Sequence, residues 1–431
     1  MLDILVENGK MLTPAGWSEK GYLTIEAGKI TALETGAASP EIYRSARQVI
    51  SADGMAVLPG LTNAHTHLSQ TFMRGLSGGR PLMRWLKELI WPLQGAMNIE
   101  ELHLAALLGM VENLRCGATH VVDHQKITKT QDYSLTVCSA AEQCGIHLTL
   151  ARAWADTGSN AESPINILNE LETLFERYQT HKLIQISSGP LVPWRATAET
   201  LQRTHALAQR YGSATHIHVS ETNEEVKMTL DSNGMRPVSW LDSLGILGPD
   251  SHIVHAVWVD KEEMLLSKKR DALVIHCPVS NAVLGSGFAP VYEMQQMGIR
   301  IRLGTDGPAS NDNQDCFENM KTALCLAHLR ELDPTQLSPT DVVEMATAGK
   351  TLSKGEPADL ILVNLRNVNA TPVHNIDSAL ALSCHGNDVD TVIVDGNVLM
   401  LQKKIQGFDE SALLKECEQA ALNLRKKLAW D

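Results

Sequence analysis

The chain has 431 residues, of which 44% are hydrophobic and 20% are charged, and its formal net charge is -13. A chain of this length buries a large core and exceeds most single open sheets, so we expect one large domain and a small one. The negative charge argues against nucleic acid as a partner and suits a small neutral or cationic substrate. No long uncharged apolar run occurs, and acidic residues stand in residues 1–7, where a signal peptide would carry Lys or Arg, so we expect no membrane association.

The cysteines indicate the cellular compartment. Eight of them are scattered along the chain without a Cys-x-x-Cys pair. This distribution is typical of reduced thiols and argues against a zinc knuckle. We therefore expect a cytoplasmic protein.

In chain order, the first predicted elements are short hairpin-like strands at 3–8, 21–26 and 29–34. Similar strands follow near the other end of the chain, before a helix over 411–428, and they lie at 358–364, 391–396 and 398–402. Neither end has enough strands to close a core alone. We therefore expect residues 1–56 and 358–431 to form one small β-sandwich together.

Eight apolar runs rich in β-branched residues alternate with helical stretches between these ends. The runs are 56–63, 118–124, 147–153, 183–188, 214–220, 252–258, 272–276 and 299–304. Alternating strands and helices predict an α/β fold of parallel units, and eight units favour a closed TIM-type (β/α)8 barrel over residues 57–357. An open doubly wound sheet is the alternative, but it would need a phosphate-binding glycine turn that Gly75, Gly78 and Gly79 do not form.

Metal-ligating side chains stand at the predicted carboxyl ends of the barrel strands, where such barrels place their active sites. His65 and His67 end the first run, and residues i and i+2 of a strand share one face, so both rings can reach one ion. A His-x-His pair alone is a weak signal. In the fifth run either His216 or His218 could face the centre, and His218 is favoured because it lies nearer the strand end. Asp306 follows the eighth run.

Three imidazoles and a carboxylate suit zinc, or iron as the alternative. We therefore predict one divalent metal held by the side chains of His65, His67, His218 and Asp306. A second metal would need a bridging lysine carbamate after the fourth run, and Lys182 lies at its opposite end.

Two further side chains complete a predicted hydrolytic site. A divalent ion lowers the pKa of bound water from about 16 toward about 7, so hydroxide is available at neutral pH. Glu221, three residues after His218, is placed to take the water's proton and pass it to a leaving amine. His255 can donate to the attacking oxygen or orient it, and Asp306 can act as a second base.

The motifs PGLTNAHTHLSQTFMRGL, HVSETNEE, HCPVSN and GTDGPASN occur in this order. They resemble those of the amidohydrolase superfamily, and within it the mononuclear aminohydrolases. The resemblance implies a (β/α)8 barrel with a flanking β-sandwich, one zinc or iron ion, a homo-oligomer, and hydrolytic deamination of a heteroaromatic amine with release of ammonia. A non-catalytic metal-binding barrel is the rival, but it would be expected to lack at least one of these polar site residues.

Three positions bear on the substrate. Adenosylhomocysteine-type deaminases usually carry a ribose-binding Glu where this chain has Arg84, and a His where it has Leu191. Gln70 matches a glutamine of sequences similar to 8-oxoguanine deaminases. These positions favour a free base, either an oxidised purine or a pterin. The alternatives are adenosylhomocysteine/methylthioadenosine deamination and the chlorohydrolase or N-dealkylase activity of triazine hydrolases.

The predicted substrate contacts follow from the same resemblance. Gln70 is expected to read an exocyclic edge of the ring, while Trp85 or Trp194 stacks on its face. Arg152 matches an arginine that faces the pocket in relatives, and the alternative for it is a salt bridge at the rim.

Overall fold

The computed structural model describes residues 2–76, 78–127 and 129–428. Their strands form two sheets, one of eight and one of nine strands. The strands are β1 Leu2–Thr13, β2 Gly16–Glu26, β3 Lys29–Thr35, β4 Ala46–Ser51, β5 Met55–Pro59, β6 Leu61–Thr66, β7 Ala118–Gln125, β8 His147–Trp154, β9 Ile184–Pro190, β10 Thr215–Val219, β11 Ser251–His255, β12 Leu273–His276, β13 Arg300–Leu303, β14 Leu360–Asn364, β15 Val389–Val394, β16 Asn397–Leu401 and β17 Lys404–Ile405.

The helices lie mainly between the strands of the eight-stranded sheet. They are α1 Pro40–Ser45, α2 Leu82–Trp85, α3 Trp91–Ala96, α4 Ile99–Arg115, α5 Gln131–Cys144, α6 Pro164–Tyr178, α7 Ala198–Arg210, α8 Asn223–Asn233, α9 Pro237–Ser243, α10 Lys261–Lys269, α11 Pro278–Val283, α12 Val291–Gln296, α13 Pro308–Asn311, α14 Cys316–Glu331, α15 Pro339–Ala346, α16 Ile376–Leu382 and α17 Glu410–Lys427. In the part of the chain that the structure describes, none of them combines the length and apolarity needed to cross a membrane.

The eight-stranded sheet is the predicted barrel. Its strands run parallel in the order β6 to β13, each paired with the next along the chain. The last strand returns to the first, because the backbone N–H of Asp306 donates to the carbonyl oxygen of His65 at 2.9 Å. The TIM-type architecture expected from the alternation of strands and helices is therefore confirmed.

The first predicted barrel strand, 56–63, is in fact two strands that belong to different sheets. β5 pairs with β1 and β14 in the nine-stranded sheet, and β6 begins the barrel. Gly60 separates them, and a Cβ atom there would lie 2.1 Å from the side chain of Thr119. The predicted boundary between residues 56 and 57 therefore falls inside β5. Because the run 56–63 is apolar throughout, its sequence does not indicate that the chain changes from one sheet to the other.

The nine-stranded sheet joins both ends of the chain, as predicted for the β-sandwich. β5 connects the two halves, because it pairs with β1 from the first end and with β14 from the last. Apolar side chains of both halves share one core, including Ile4, Leu23, Leu360 and Ile393. Met1 and residues 429–431, which the prediction included, lie outside the described residues.

The segment after β6 lines one side of a cavity at the carboxyl ends of the barrel strands. α2 and α3 are joined by a π-helical stretch, Leu86–Ile90. Pro92, near the start of α3, has no N–H to donate to the preceding turn, which favours such an irregularity. π-Helical turns are frequent at functional sites, and this one turns Trp85, Leu86 and Trp91 toward the carboxyl ends of the barrel strands.

Ion pairs of His147 connect the barrel to the nine-stranded sheet. The Nε2 atom of His147, at the start of β8, lies 3.2 Å from Asp359 Oδ2 and 3.8 Å from Asp395 Oδ1. Burial lowers the pKa of His147, but the hydrogen bond that its ring donates to Asp359 and the charges of both aspartates outweigh it and raise the pKa above 6.5. The charged imidazole is therefore the form that the fold stabilises.

We expect these ion pairs to give stability that depends on pH. Because the folded-state pKa of His147 is raised, its contribution to the free energy of unfolding is complete below about pH 6.5 and is lost as the pH rises through the raised pKa. His147→Gln should lower the free energy of unfolding clearly at about pH 6 and much less at about pH 9, measured by urea denaturation. His374→Gln, at an exposed position, is the control. An equal loss for His147→Gln at both pH values would contradict the assignment.

Candidate active site

A cavity of about 480 Å³ opens at the carboxyl ends of the barrel strands. Its floor carries polar groups, and its walls are largely apolar and aromatic. The floor residues are His67, Lys126, His218, Glu221, Glu225, His255 and Asp306. The apolar and aromatic wall residues are Leu82, Trp85, Leu86, Trp91, Ile127, Trp154, Leu191, Val192, Trp194 and Leu284. A few convergent polar groups in an apolar cleft of this size are typical of a small-molecule site.

The four residues predicted as metal ligands converge at this floor. The Nε2 atoms of His65 and His67 lie 3.3 and 3.2 Å from Asp306 Oδ1. The Nε2 atom of His218 lies 3.4 Å from that of His67. Tetrahedral coordination at about 2.0–2.1 Å requires ligand atoms about 3.3 Å apart, so this donor set fits a zinc-sized ion.

The Nδ1 atoms of these histidines contact other groups on the side away from the cluster. His67 Nδ1 donates to the carbonyl oxygen of His124 at 2.8 Å, and His218 Nδ1 donates to that of Leu191 at 2.9 Å. His65 Nδ1 lies 2.8 Å from His216 Nε2. A proton fixed on Nδ1 leaves the lone pair on Nε2 directed at the cluster, which is how metal-binding histidines are usually oriented.

Electrostatics favours the metal-binding protonation states. Burial lowers the pKa of all three imidazoles, that of His65 to about 3, so the rings are neutral. Burial opposes ionisation of Asp306, but the neighbouring imidazole groups of His65 and His67 outweigh it and hold the pKa of this carboxyl group well below its usual value. Ser280 Oγ also donates to Asp306 Oδ2, at 2.6 Å. The site therefore presents neutral nitrogens and one carboxylate.

Glu221 and His255 stand together beside the cluster. His255 Nε2 lies 3.5 Å from Glu221 Oε2, and Ser286 Oγ donates to Glu221 Oε1 at 2.9 Å. Burial and the charge of Asp306 raise the pKa of Glu221 to about 8. Asn281 Nδ2 donates to His255 Nδ1 at 3.1 Å, which leaves the ring proton of neutral His255 on Nε2, facing Glu221.

Of the predicted substrate contacts, Trp85 and Trp194 line the cavity. Both indole N–H groups are buried and have no hydrogen-bond acceptor within the described residues. Their rings, and not these buried N–H groups, are therefore what the two residues offer to a bound molecule.

The structure places Gln70 and Arg152 elsewhere. Neither is among the described residues that line the cavity. Gln70 is fully buried against Gly307, where a Cβ atom would lie 1.9 Å from Gln70 Oε1. Arg152 is also fully buried, and its guanidinium lies 2.5 Å from a carboxylate oxygen of both Glu162 and Glu170. The salt-bridge alternative for Arg152 therefore matches its position, although Glu162 rather than Arg152 reaches the cavity wall.

Sequence reasoning missed several polar neighbours of the cluster. The sequence suggested His216 only as a possible metal ligand, but in the structure its ring hydrogen-bonds to that of His65. Ser280 and Asn281 lie within the quoted HCPVSN motif, so their contacts with Asp306 and His255 had a sequence signal. Lys126 directly follows β7 in the cavity and belongs to no motif considered.

A model of the amidohydrolase family matches residues 56–399, which include every residue of the cluster. This chain belongs to the amidohydrolase family. It is therefore a hydrolase of C–N bonds, as predicted, and the family together with the cluster supports a divalent metal in it.

Relatives of this amidohydrolase are named as deaminases. It is 35% identical to 5'-deoxyadenosine deaminase of Methanothermobacter thermautotrophicus over 96% of this chain and 97% of that one. It is 33% identical to 5-methylthioadenosine/S-adenosylhomocysteine deaminase of Pelotomaculum thermopropionicum over 98% and 99%. A crystal structure of an adenosine deaminase from Xanthomonas campestris with bound zinc matches at a TM-score of 0.92 and 27% identity, over 99% of both chains.

These relatives do not support the predicted preference for an oxidised purine or pterin. Their names favour the alternative that was set aside because of Arg84 and Leu191. Arg84 is exposed and pairs with Glu88, outside the cavity lining described here, while Leu191 lines the cavity and supplies the carbonyl oxygen that orients His218. The absence of two expected side chains was therefore weak evidence about the substrate.

We expect Asp306→Asn to bind metal weakly. The amide removes the negative charge and replaces one carboxylate oxygen by an NH2 group that cannot bind a metal, in a set otherwise made of neutral nitrogens. Metal analysis of the purified variant should give well below about one ion per chain, against about one for the unmodified protein. Asp271→Asn, at an exposed position at the other end of the barrel, should keep the metal. Full metal occupancy in Asp306→Asn would remove Asp306 from the ligand set.

Proposed function

We propose that this amidohydrolase removes the exocyclic amino group of adenine from 5'-deoxyadenosine or a related 5'-substituted adenosine, with release of ammonia. The observation that supports the proposal most strongly is the converging set of His65, His67, His218 and Asp306 beneath an apolar cavity that also holds Glu221. The relatives named for such nucleosides supply the substrate class, since they align over nearly the whole chain.

The same four side chains would hold one divalent ion, which we propose to be zinc. Nitrogen and carboxylate ligands at tetrahedral spacing favour zinc, with ferrous iron as the alternative. When bound, such an ion supplies Lewis-acid activation of water at neutral pH.

The chain's own residues would then move the protons. A pKa of about 8 allows Glu221 to exist in both protonation states near neutral pH. It can therefore accept a proton from the attacking water and deliver it to the ring or to the leaving amine. The Nε2–H of His255, held in place through Asn281, can donate to the oxygen that adds to the ring carbon.

Aromatic side chains would hold the nucleoside. The rings of Trp85 and Trp194 offer flat surfaces for the base.

The cavity wall favours a small apolar group at the 5' position. Leu82, Leu86 and Ile127 line it. Two cations that line the cavity are engaged with the backbone: Lys129 donates to the carbonyl oxygens of Gly95 and Met97, and Arg195 donates to those of Thr157 and Ser159. Lys126 lines the cavity together with Glu221 and Glu225, whose carboxyl groups oppose an anionic ligand group there. We therefore propose that 5'-deoxyadenosine and methylthioadenosine are better substrates than adenosylhomocysteine, whose amino acid group is charged.

The direct experiment is ammonia release from the metal-analysed protein, with 5'-deoxyadenosine, methylthioadenosine, adenosylhomocysteine, 8-oxoguanine, isoxanthopterin and an aminotriazine. We expect the highest kcat/KM for the first two compounds. Turnover of an oxopurine or pterin alone would overturn the nucleoside assignment, and activity on the triazine alone would favour the triazine hydrolase alternative.

Glu221→Gln should retain metal and lose nearly all turnover. The amide keeps the shape of the side chain but carries no proton between water and the leaving group, so we expect kcat to fall by about 10²- to 10⁴-fold. Glu224→Gln, at an exposed position in the next helix, is the matched control and should keep normal kinetics. Comparable activity of the two variants would exclude Glu221 from proton transfer.

Besides the domain bounds and the roles of the site residues, three predictions from sequence stay predictions. They are the cytoplasmic location, the homo-oligomer and the absence of nucleic acid binding.

A further inference from the structure

Lys126 is a cavity residue that the proposed chemistry does not use. It directly follows β7 and lines the cavity together with His67, His218 and Glu221. Its charge acts on both imidazoles and on Glu221, so the ammonium group lies within electrostatic range of these side chains. Within the part of the chain that the structure describes, the ammonium group has no hydrogen bond or ion pair.

The other cations of the cavity wall differ in this respect. Lys129 donates to Gly95 O at 2.6 Å and to Met97 O at 2.9 Å, so it holds the loop after α3. Arg195 donates to Thr157 O at 3.2 Å and to Ser159 O. Both therefore have structural partners. Lys126 is half-buried and lines the cavity without such a partner among the described residues, so a bound molecule can accept a hydrogen bond from its ammonium group.

The carboxyl groups around Lys126 define the kind of acceptor that suits it. Burial lowers its pKa, while Asp306, Glu221 and Glu225 oppose that effect at longer range. These carboxyl groups already have closer partners: Ser280 for Asp306, Ser286 for Glu221 and the backbone of Thr222 for Glu225. An anionic ligand group at this position would be repelled by them. A neutral acceptor with a lone pair, such as a ring nitrogen, would not.

We propose that Lys126 donates a hydrogen bond to an acceptor nitrogen of the purine ring and thereby selects purines among amino-heterocycles. This inference rests on the proposed function. N3 and N7 of adenine are both acceptors, and neither is changed when the amino group on the six-membered ring is replaced. Lys126 therefore binds the substrate and the transition state about equally, so its removal should raise KM more than it lowers kcat.

The test is a kinetic cycle with the metal-loaded enzyme, comparing the unmodified protein with Lys126→Met on 5'-deoxyadenosine and its 3-deaza and 7-deaza analogues. Lys126→Met should lower kcat/KM for 5'-deoxyadenosine by about 10- to 100-fold, mainly through KM, the usual value of a hydrogen bond to a charged group. The analogue that lacks the contacted nitrogen should lose activity with the unmodified enzyme, and Lys126→Met should add no further loss for it. The cycle cancels the intrinsic reactivity of each analogue.

Lys129→Met is the matched control, and it should keep the discrimination between 5'-deoxyadenosine and the sensitive analogue. Lys126→Gln, which retains an N–H donor, should lose less discrimination, and it replaces Lys126→Met if that variant loses its metal or its fold. Unchanged discrimination in both Lys126 variants, or a loss in kcat with unchanged KM, would overturn the role of Lys126 alone. No turnover of any nucleoside by the unmodified enzyme would overturn the proposed function and this inference with it.

Discussion

Closure of the barrel between its last and first strands is the constraint on which the site depends. The backbone bond from Asp306 to His65 joins the two strands directly. Asn63 Oδ1 accepts from the backbone N–H of Thr305 at 3.0 Å, and its Nδ2 donates to Thr305 Oγ1 at 2.8 Å, so a buried side chain continues the ladder. A Cβ atom at Gly304 would lie 2.8 Å from His65 Cβ, so only glycine permits this approach. Without this pairing of the last and first strands, the carboxylate of Asp306 would not lie next to His65 and His67.

The strand ends bear unusual backbone geometry where the functional side chains emerge. Ser220, His255 and Asp306 all have positive φ angles, of 55°, 73° and 59°. Non-glycine residues rarely adopt this region, and such residues cluster at functional sites, where the surrounding structure holds them. In this chain they redirect the backbone as it leaves β10, β11 and β13, so that Glu221, His255 and Asp306 reach one floor.

The sequence predicts correctly those features that depend on nearby residues, and less well those that depend on partners distant in the chain. Alternating runs such as 118–124 and 147–153 matched β7 and β8 closely, because burial on a parallel sheet leaves a local apolar signal. The run 56–63 was misassigned because membership of a sheet depends on distant partners, here β14 for one half and β7 for the other. The positions of Gln70 and Arg152 outside the cavity lining depend on distant partners in the same way. Side-chain type and strand position were known, but the partners Gly307, Glu162 and Glu170 were not.

The sequence by itself determined the barrel class, the flanking sheet from both chain ends and the set of histidines and carboxylates at the strand ends. Strand periodicity and motif spacing are local, so the sequence carries them directly. Only the tertiary structure decided which nitrogen of each histidine faces the cluster, that His216 supports His65, and that Lys126 keeps its donors free in the cavity. These features depend on hydrogen-bond partners that are distant in the chain. For that reason spacing alone could not supply them.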